Sequence, residues 1–187
     1  MSLPNATALL RTLPTGMRAT VSRGSEVASL AVRTAIQDSG TLSLSGLECD
    51  LKTVVWTLDE DFDPAIRIGD VLTVDDVPAF VVNAMTTCGN LVNRAQVVLC
   101  TDSVTVNDVA VPCHLGMLSQ DVAASLGGFL PDDLQGFFAP LSTIPEGVEI
   151  TVSTPVEISG EAFVVEKISR DSRHGILCVT CHRRGDA

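Results

Sequence analysis

The chain has no tyrosine, a single tryptophan (Trp56) and only 4% aromatic residues. That scarcity argues against a carbohydrate-binding or single-strand-binding surface, which would stack rings on its ligand. Basic residues are also few: 12 Lys and Arg stand against 23 Asp and Glu, a net charge of −11 over 187 residues. Such a chain does not attract phosphate backbones, whose affinity comes from Lys and Arg displacing counterions. Beside DNA it would be a repelling wall, although acidity often serves solubility alone. No stretch approaches the ~18 uninterrupted apolar residues of a membrane-spanning helix. The first residues, up to Gly16, lack the long apolar centre of a secretory signal. Synthesis in the cytoplasm without export is the expectation. Neither a Gly-x-Ser-x-Gly elbow nor a Gly-rich phosphate loop occurs, and Gly127-Gly128 is a lone pair without a downstream Lys-Ser/Thr. Catalysis is not expected, and no cofactor is assigned.

What is present is 45% hydrophobic content, mostly Val, Leu and Ala, with abundant Val and Thr in short runs. Those residues favour pleated strands. The six cysteines (Cys49, Cys88, Cys100, Cys113, Cys178, Cys181) read as free thiols in a cytoplasmic chain. Several lie inside apolar alternations, where a thiol behaves as a small hydrophobe.

Residues 1–16 read as an arm; Ala6–Leu13 has the length for two helical turns, which Pro14 and Gly16 stop. Met17–Gly24 and Val27–Ile36 read as a hairpin more readily than as a helix, which the Ala-rich composition leaves open. From Thr41 the alternation sharpens: Leu42-Ser-Leu-Ser-Gly46-Leu-Glu-Cys49 predicts a hairpin with one buried face. Val54–Leu58 is a further strand, followed by the acidic loop Asp59-Glu-Asp-Phe-Asp-Pro64. Ile68–Val74, a turn at Asp75-Asp76, Val77–Val82, a turn region over Thr87–Asn93, and Ala95–Cys100 complete a β-unit.

The same order then recurs. Val104–Cys113 repeats the layout of Leu42–Cys49. Leu115–Pro140 is a variable stretch containing a short helix, Ser119–Leu126, capped by Ser119 and ended by Gly127. Gly147–Val152 matches Gly69–Val74, Ala162-Phe-Val-Val165 matches Ala79-Phe-Val-Val82, and Gly175–Thr180 matches Gln96–Thr101. The offset grows from 64 (Cys49 to Cys113) to 83 (Val82 to Val165), the growth falling in the loop-rich stretch 115–155. The plainer alternative is one larger sandwich reusing similar hairpins. The expected architecture is all-β: two tandem small β-barrel or sandwich modules, an N-terminal arm and at most short helices. The units span 1–40 (arm and hairpin), 41–102 (first module) and 103–187 (second module).

This layout, carried by Leu42–Cys49, Gly69–Val82 and Val97–Cys100 with counterparts at Val104–Cys113 and Gly147–Val179, resembles the small β-barrel modules of tailed-bacteriophage head–tail joining and stopper proteins. The resemblance covers about residues 41–184 and carries no catalytic signature. It implies a homo-oligomeric ring in the virion neck, below the portal, between a portal-side adaptor and tail or tail-terminator proteins. Duplex DNA would pass through without specific binding, and no membrane is involved. Members of that family commonly carry one such module, so the doubling departs from the pattern. Other virion β-proteins (a tail terminator, a tail hub, a capsid decoration protein) share the composition.

Three constellations carry alternative chemistry. Cys178-Val-Thr-Cys181-His182 matches the C-x-x-C-H haem-attachment pattern. It lies in a run that reads as a strand, where residues three apart face opposite ways and cannot grip one macrocycle. A zinc site from Cys178, Cys181 and His182 with His174 or Cys113-His114 has one Cys pair where such sites often use two. Cys113-His114 are strand neighbours facing opposite ways, a poor nucleophile–base pair. The acidic run is read as a solvated loop, since it lacks the Gly and distal Glu of a calcium loop. In a ring, however, Asp59, Glu60, Asp61 and Asp63 are candidates to line the channel with negative charge.

Overall fold

The computed structural model describes residues 19–23, 26–30, 35–56, 66–74, 76–87, 92–119, 124 and 133–184. Among these residues thirteen strands run in chain order: β1 (Ala19–Arg23), β2 (Glu26–Leu30), β3 (Ala35–Leu44), β4 (Leu47–Trp56), β5 (Val71–Val74), β6 (Val77–Thr87), β7 (Val92–Leu99), β8 (Asp102–Val106), β9 (Val109–Leu118), β10 (Leu134–Pro140), β11 (Pro155–Ile158), β12 (Glu161–Asp171) and β13 (Ile176–Arg183). The only helical features among the described residues are short, such as the 3-10 turn Leu141–Thr143. The protein is all-β.

Period-two patterning is the local cause. Along β4, Leu47, Cys49 and Leu51 are buried while Glu48 and Asp50 are exposed, so one face of the pleat goes inward. Three hairpins turn on two residues that both have positive φ: Ser45-Gly46 (52° and 82°), Asn107-Asp108 (50° and 62°) and Ser159-Gly160 (53° and 83°). This is the type I′ geometry, whose twist matches that of the strands it joins.

The strands fall into two regions. In the second, β8-β9-β10-β13-β12-β11 are antiparallel neighbours, and β11 pairs back onto β8, closing a six-stranded barrel. In the first, the order is β3-β4-β7-β6-β5-β1-β2, and among the described residues its end strands β3 and β2 do not pair with each other. The expected hairpin ahead of residue 41 is β1–β2, and it extends this first sheet through β5. Strand β3 begins at Ala35 and runs through residue 41.

The recurrence noticed in the sequence is present, at a different register. The hairpins β3–β4 and β8–β9 match at an offset of 62 (Ser45 to Asn107). The three-stranded meanders β5–β7 and β11–β13 match at 84. Val81 N donates to Asp70 O, as Val165 N does to Thr154 O; Cys100 N donates to Pro78 O, as Arg184 N does to Ala162 O. Both meanders carry a bulge at the same position, Val82 and Glu166. The Ala-Phe-Val-Val match at 83 is therefore one residue out of register. A one-residue slip reverses the faces: Phe80 packs between the two regions, whereas Phe163 points into the barrel. Gly147–Val152, expected as a strand, is turn and irregular chain, and β11 is the real counterpart of β5. Val54–Trp56 continues β4 rather than forming a separate strand.

The rise in offset from 62 to 84 reflects the longer connection between β9 and β11, which contains β10. That strand lies in the stretch expected to be variable loop, and it changes the parity of the barrel. Along β3-β4-β7-β6-β5 the first and fifth strands run the same way, so antiparallel closure is barred. Inserting β10 between β9 and β13 makes six strands and lets β11 meet β8 antiparallel.

Among the described residues three apolar clusters follow from this arrangement. One fills the barrel (Val104, Val111, Phe137, Phe163, Val179 and others). One lies under the first sheet (Val21, Val54, Leu72, Val81, Val97 and others). The third is shared between the regions and includes Leu47, Phe80, Val98, Phe138 and Ile176. Two glycines permit that approach. A methyl group at Gly136 would sit 2.1 Å from Leu47 Cδ2, and one at Gly116 would sit 2.9 Å from Phe138 Cε2 and 3.1 Å from Glu48 O. Strand β4 also joins the regions directly, pairing with β7 over Lys52–Trp56 and with β9 at Leu47 and Glu48.

Candidate functional site

The C-x-x-C-H segment lies on β13, and the strand does to it what period-two geometry requires. Cys178 enters the shared layer, whereas Cys181 enters the barrel core. His182 Nδ1 lies 3.2 Å from Glu166 Oε2. The two thiols cannot address one metal or one macrocycle without unfolding the strand. Cys113 likewise faces the barrel. Its neighbour His114 stacks on Phe138, ring centroids 6.4 Å apart, and its Nδ1 donates to Leu99 O at 3.1 Å. His174 bonds Asp171 across a turn at 2.8 Å. The three histidines thus serve three separate local contacts, and among the described residues no three His, Cys, Asp or Glu gather in a metal-holding group.

The five described thiols are all buried. Burial pushes Cys49, Cys100, Cys113 and Cys181 up to about 12 and Cys178 up to about 11. A thiol held that high carries almost no thiolate at neutral pH, so these groups pack rather than react. Cys88 lies outside the described residues.

Two of the buried polar side chains, Asp70 and Thr154, have structural partners. Asp70 (2% exposed) accepts from Arg67 N at 2.8 Å, and the Arg23 guanidinium bonds both its oxygens at 2.7 Å. This ties β1 to the turn entering β5. Thr154 occupies the matching place in the second region, where its Oγ1 accepts from Thr151 N at 2.9 Å. Arg23 was not singled out by sequence pattern, because nothing local marks a pairing across 47 residues.

Among the described residues, shallow grooves and strand edges are further surfaces. One groove lies beside Asn107, Asp108, Phe163 and Arg184. A second, smaller one is bounded by Glu48, Cys49, His114 and Met117, with Met117 73% exposed. Among the described residues, β3 pairs only with β4 and β2 only with β1, so each has one side without a described partner. The channel candidates Asp59, Glu60, Asp61 and Asp63 lie outside the described residues, as do residues 1–16. Of the expected helix Ser119–Leu126 only Ser119 and Ala124 are described, with Ala124 helical and Ser119 N donating to Gly46 O. No helix among the described residues is long and apolar enough to cross a membrane.

No protein-family model, curated protein or solved structure matches this chain.

Proposed function

We propose that the protein is a structural component of a tailed-bacteriophage virion, a head-closure or stopper protein. In this reading it forms an oligomeric ring at the head–tail connector, bridging portal-side and tail-side or tail-terminator proteins around the DNA channel. The observation that carries the reading is the repeated β-layout, a hairpin followed by a bulged three-stranded meander, present once in each region. It is the layout on which the resemblance to head–tail joining modules rests. Rigid β-units fused through a common apolar layer suit a protein whose work is contact rather than chemistry. The net charge of −11 adds support, since a negative wall repels passing DNA instead of holding it.

Electron microscopy of the purified full chain tests the proposal. Rings with an axial opening wide enough for duplex DNA are expected, and antibodies to the chain should label the virion neck. Label confined to the capsid surface would point to a decoration protein and reject the connector role. Within a confirmed ring, neutralising Asp59, Glu60, Asp61 and Asp63 together should retard DNA exit; an unchanged ejection profile would remove those residues from the channel.

A further inference from the structure

Each region repeats five strands, a hairpin and a meander, and an odd number cannot close with every neighbour antiparallel. The second region adds β10 between β9 and β13. The first adds its sixth strand at a different seam. Strands β2 and β3 run in the same sense, as the alternating pairings between them require, and only residues 31–34 separate them. Parallel strands lying side by side need a crossover of about a dozen residues or more. Strand β3 therefore carries on along the line of β2. The closed order is then β2/β3-β4-β7-β6-β5-β1, with β1 filling the place between β5 and β2.

The seam at β5 and its match at β11 are held unequally. Where β11 meets β8, Val104, Val106, Val156 and Ile158 are all buried in the barrel core. Where β5 meets β1, only Val21 is buried among the described side chains of β1. The other ties across that seam are polar. They are the ladder of Ala19–Ser22 against Val71–Val74, a 3.4 Å bond from Ser22 Oγ to Val71 O, and the Arg23 guanidinium on Asp70. The match of Asp70, Thr154, spends its side chain within its own turn and sends nothing across to β8. A seam closed by one apolar side chain and one ion pair opens more readily than one closed by four interlocked apolar side chains.

We infer that β1 is a releasable strap on the first region, latched by Arg23 on Asp70, and that the second region has no such opening at the matching seam. Release uncovers the N–H groups of Val71 and Thr73 and the side of the Val54, Leu72 and Val81 cluster that Val21 covers. That is a strand edge the resting chain keeps hidden. The inference is independent of the connector reading. Hydrogen exchange on the full chain tests it, with Thr73 and Glu157 as matched reporters 84 residues apart. Val74 and Val77 pair across a two-residue turn, as do Ile158 and Glu161. Thr73 and Glu157 therefore direct their N–H groups to β1 and β8 respectively. Corrected for intrinsic rates, Thr73 should exchange on the order of 100-fold faster than Glu157. Phe138→Ala weakens the shared layer equally in the latched and released forms. It should speed Glu157 by about 100-fold or more and leave Thr73 unchanged. Arg23→Met should speed Thr73 by about 10-fold or more. Equal protection of the two amides, or Thr73 following Glu157 in Phe138→Ala, overturns the strap, because the seam would then open only with the whole chain. An unaltered Thr73 rate in Arg23→Met overturns the latch. Should Phe138→Ala fail to fold, exchange in low urea separates the same outcomes. Glu157 should respond steeply and Thr73 barely, and parallel responses overturn the inference.

Discussion

The two meanders share hydrogen bonds, turn and bulge, yet their outward faces differ in chemistry. At the bulge the first has Val82 where the second has Glu166, and on the next strand Val98, paired with Phe80, stands where the second has His182, paired with Val164. Beyond the strand ends Cys100 stands where the second has Arg184. Val82, Val98 and Cys100 belong to the shared layer, whereas Glu166 and His182 lie 3.2 Å apart and partly exposed, and Arg184 is exposed. One backbone thus serves as an inner layer in one setting and a solvated wall in the other. The exchange of apolar for charged side chains states which face is covered. Hydrophobic burial decides it, since each fully buried Val contributes roughly 1.5–3 kcal/mol relative to exposure.

The largest break in this comparison comes at Phe138, which is 0% exposed and sits in the shared layer beside Phe80, ring centroids 6.2 Å apart. Phe138→Ala should cost about 3–5 kcal/mol in urea unfolding, because it removes a ring and leaves a cavity. A loss below about 1 kcal/mol would mean that the regions are not held together there.

A finer comparison uses the matched turn residues. Asp70→Ala removes a charge-assisted pair as well as a turn bond, and should cost roughly 2–3 kcal/mol. Thr154→Ala removes only neutral hydroxyl bonds and should cost about 1 kcal/mol. Equal losses at the two sites would show that the Arg23 pair adds nothing beyond the turn.

The smallest expected effect per group is alkaline. In the folded protein the thiols keep their protons to about 11 or 12 instead of the ordinary 9.0. Above pH 9 the unfolded chain binds fewer protons than the folded one, so stability is full below pH 9 and falls as pH rises through the folded values. Each thiol then contributes on the order of 1 kcal/mol of loss per pH unit. Urea midpoints at pH 8 and pH 10 measure it, and a flat response would mean that the thiols are accessible in the native state.

Period-two alternation made β4, β8, β9 and β12 legible, and with them the opposed directions of Cys178 and Cys181. The strand that closes the barrel was not legible in the same way. In β10, Gly136-Phe-Phe-Ala-Pro140 is buried on both faces, so it has no polar alternation to read. A continuous apolar run bounded by turn residues is the signal such a strand leaves. The register of the repeat was hidden for a related reason. Identity between Ala79–Val82 and Ala162–Val165 is less informative than the bulge, which belongs to the backbone. Neither the Arg23–Asp70 pair nor the closeness of Gly136 to Leu47 has a local signature, since each depends on how distant strands meet.

That meeting of Gly136 with Leu47 bears on how the chain comes apart. The barrel is built entirely from residues after Thr101, and by connectivity it looks separable. Cut free, it would present Phe138, Ile176 and Cys178 to water along with the bare notch at Gly136, a sticky face with nothing to cover it. Heat or denaturant should therefore melt both halves in one transition, and a gene fragment for either half should yield aggregate rather than a domain.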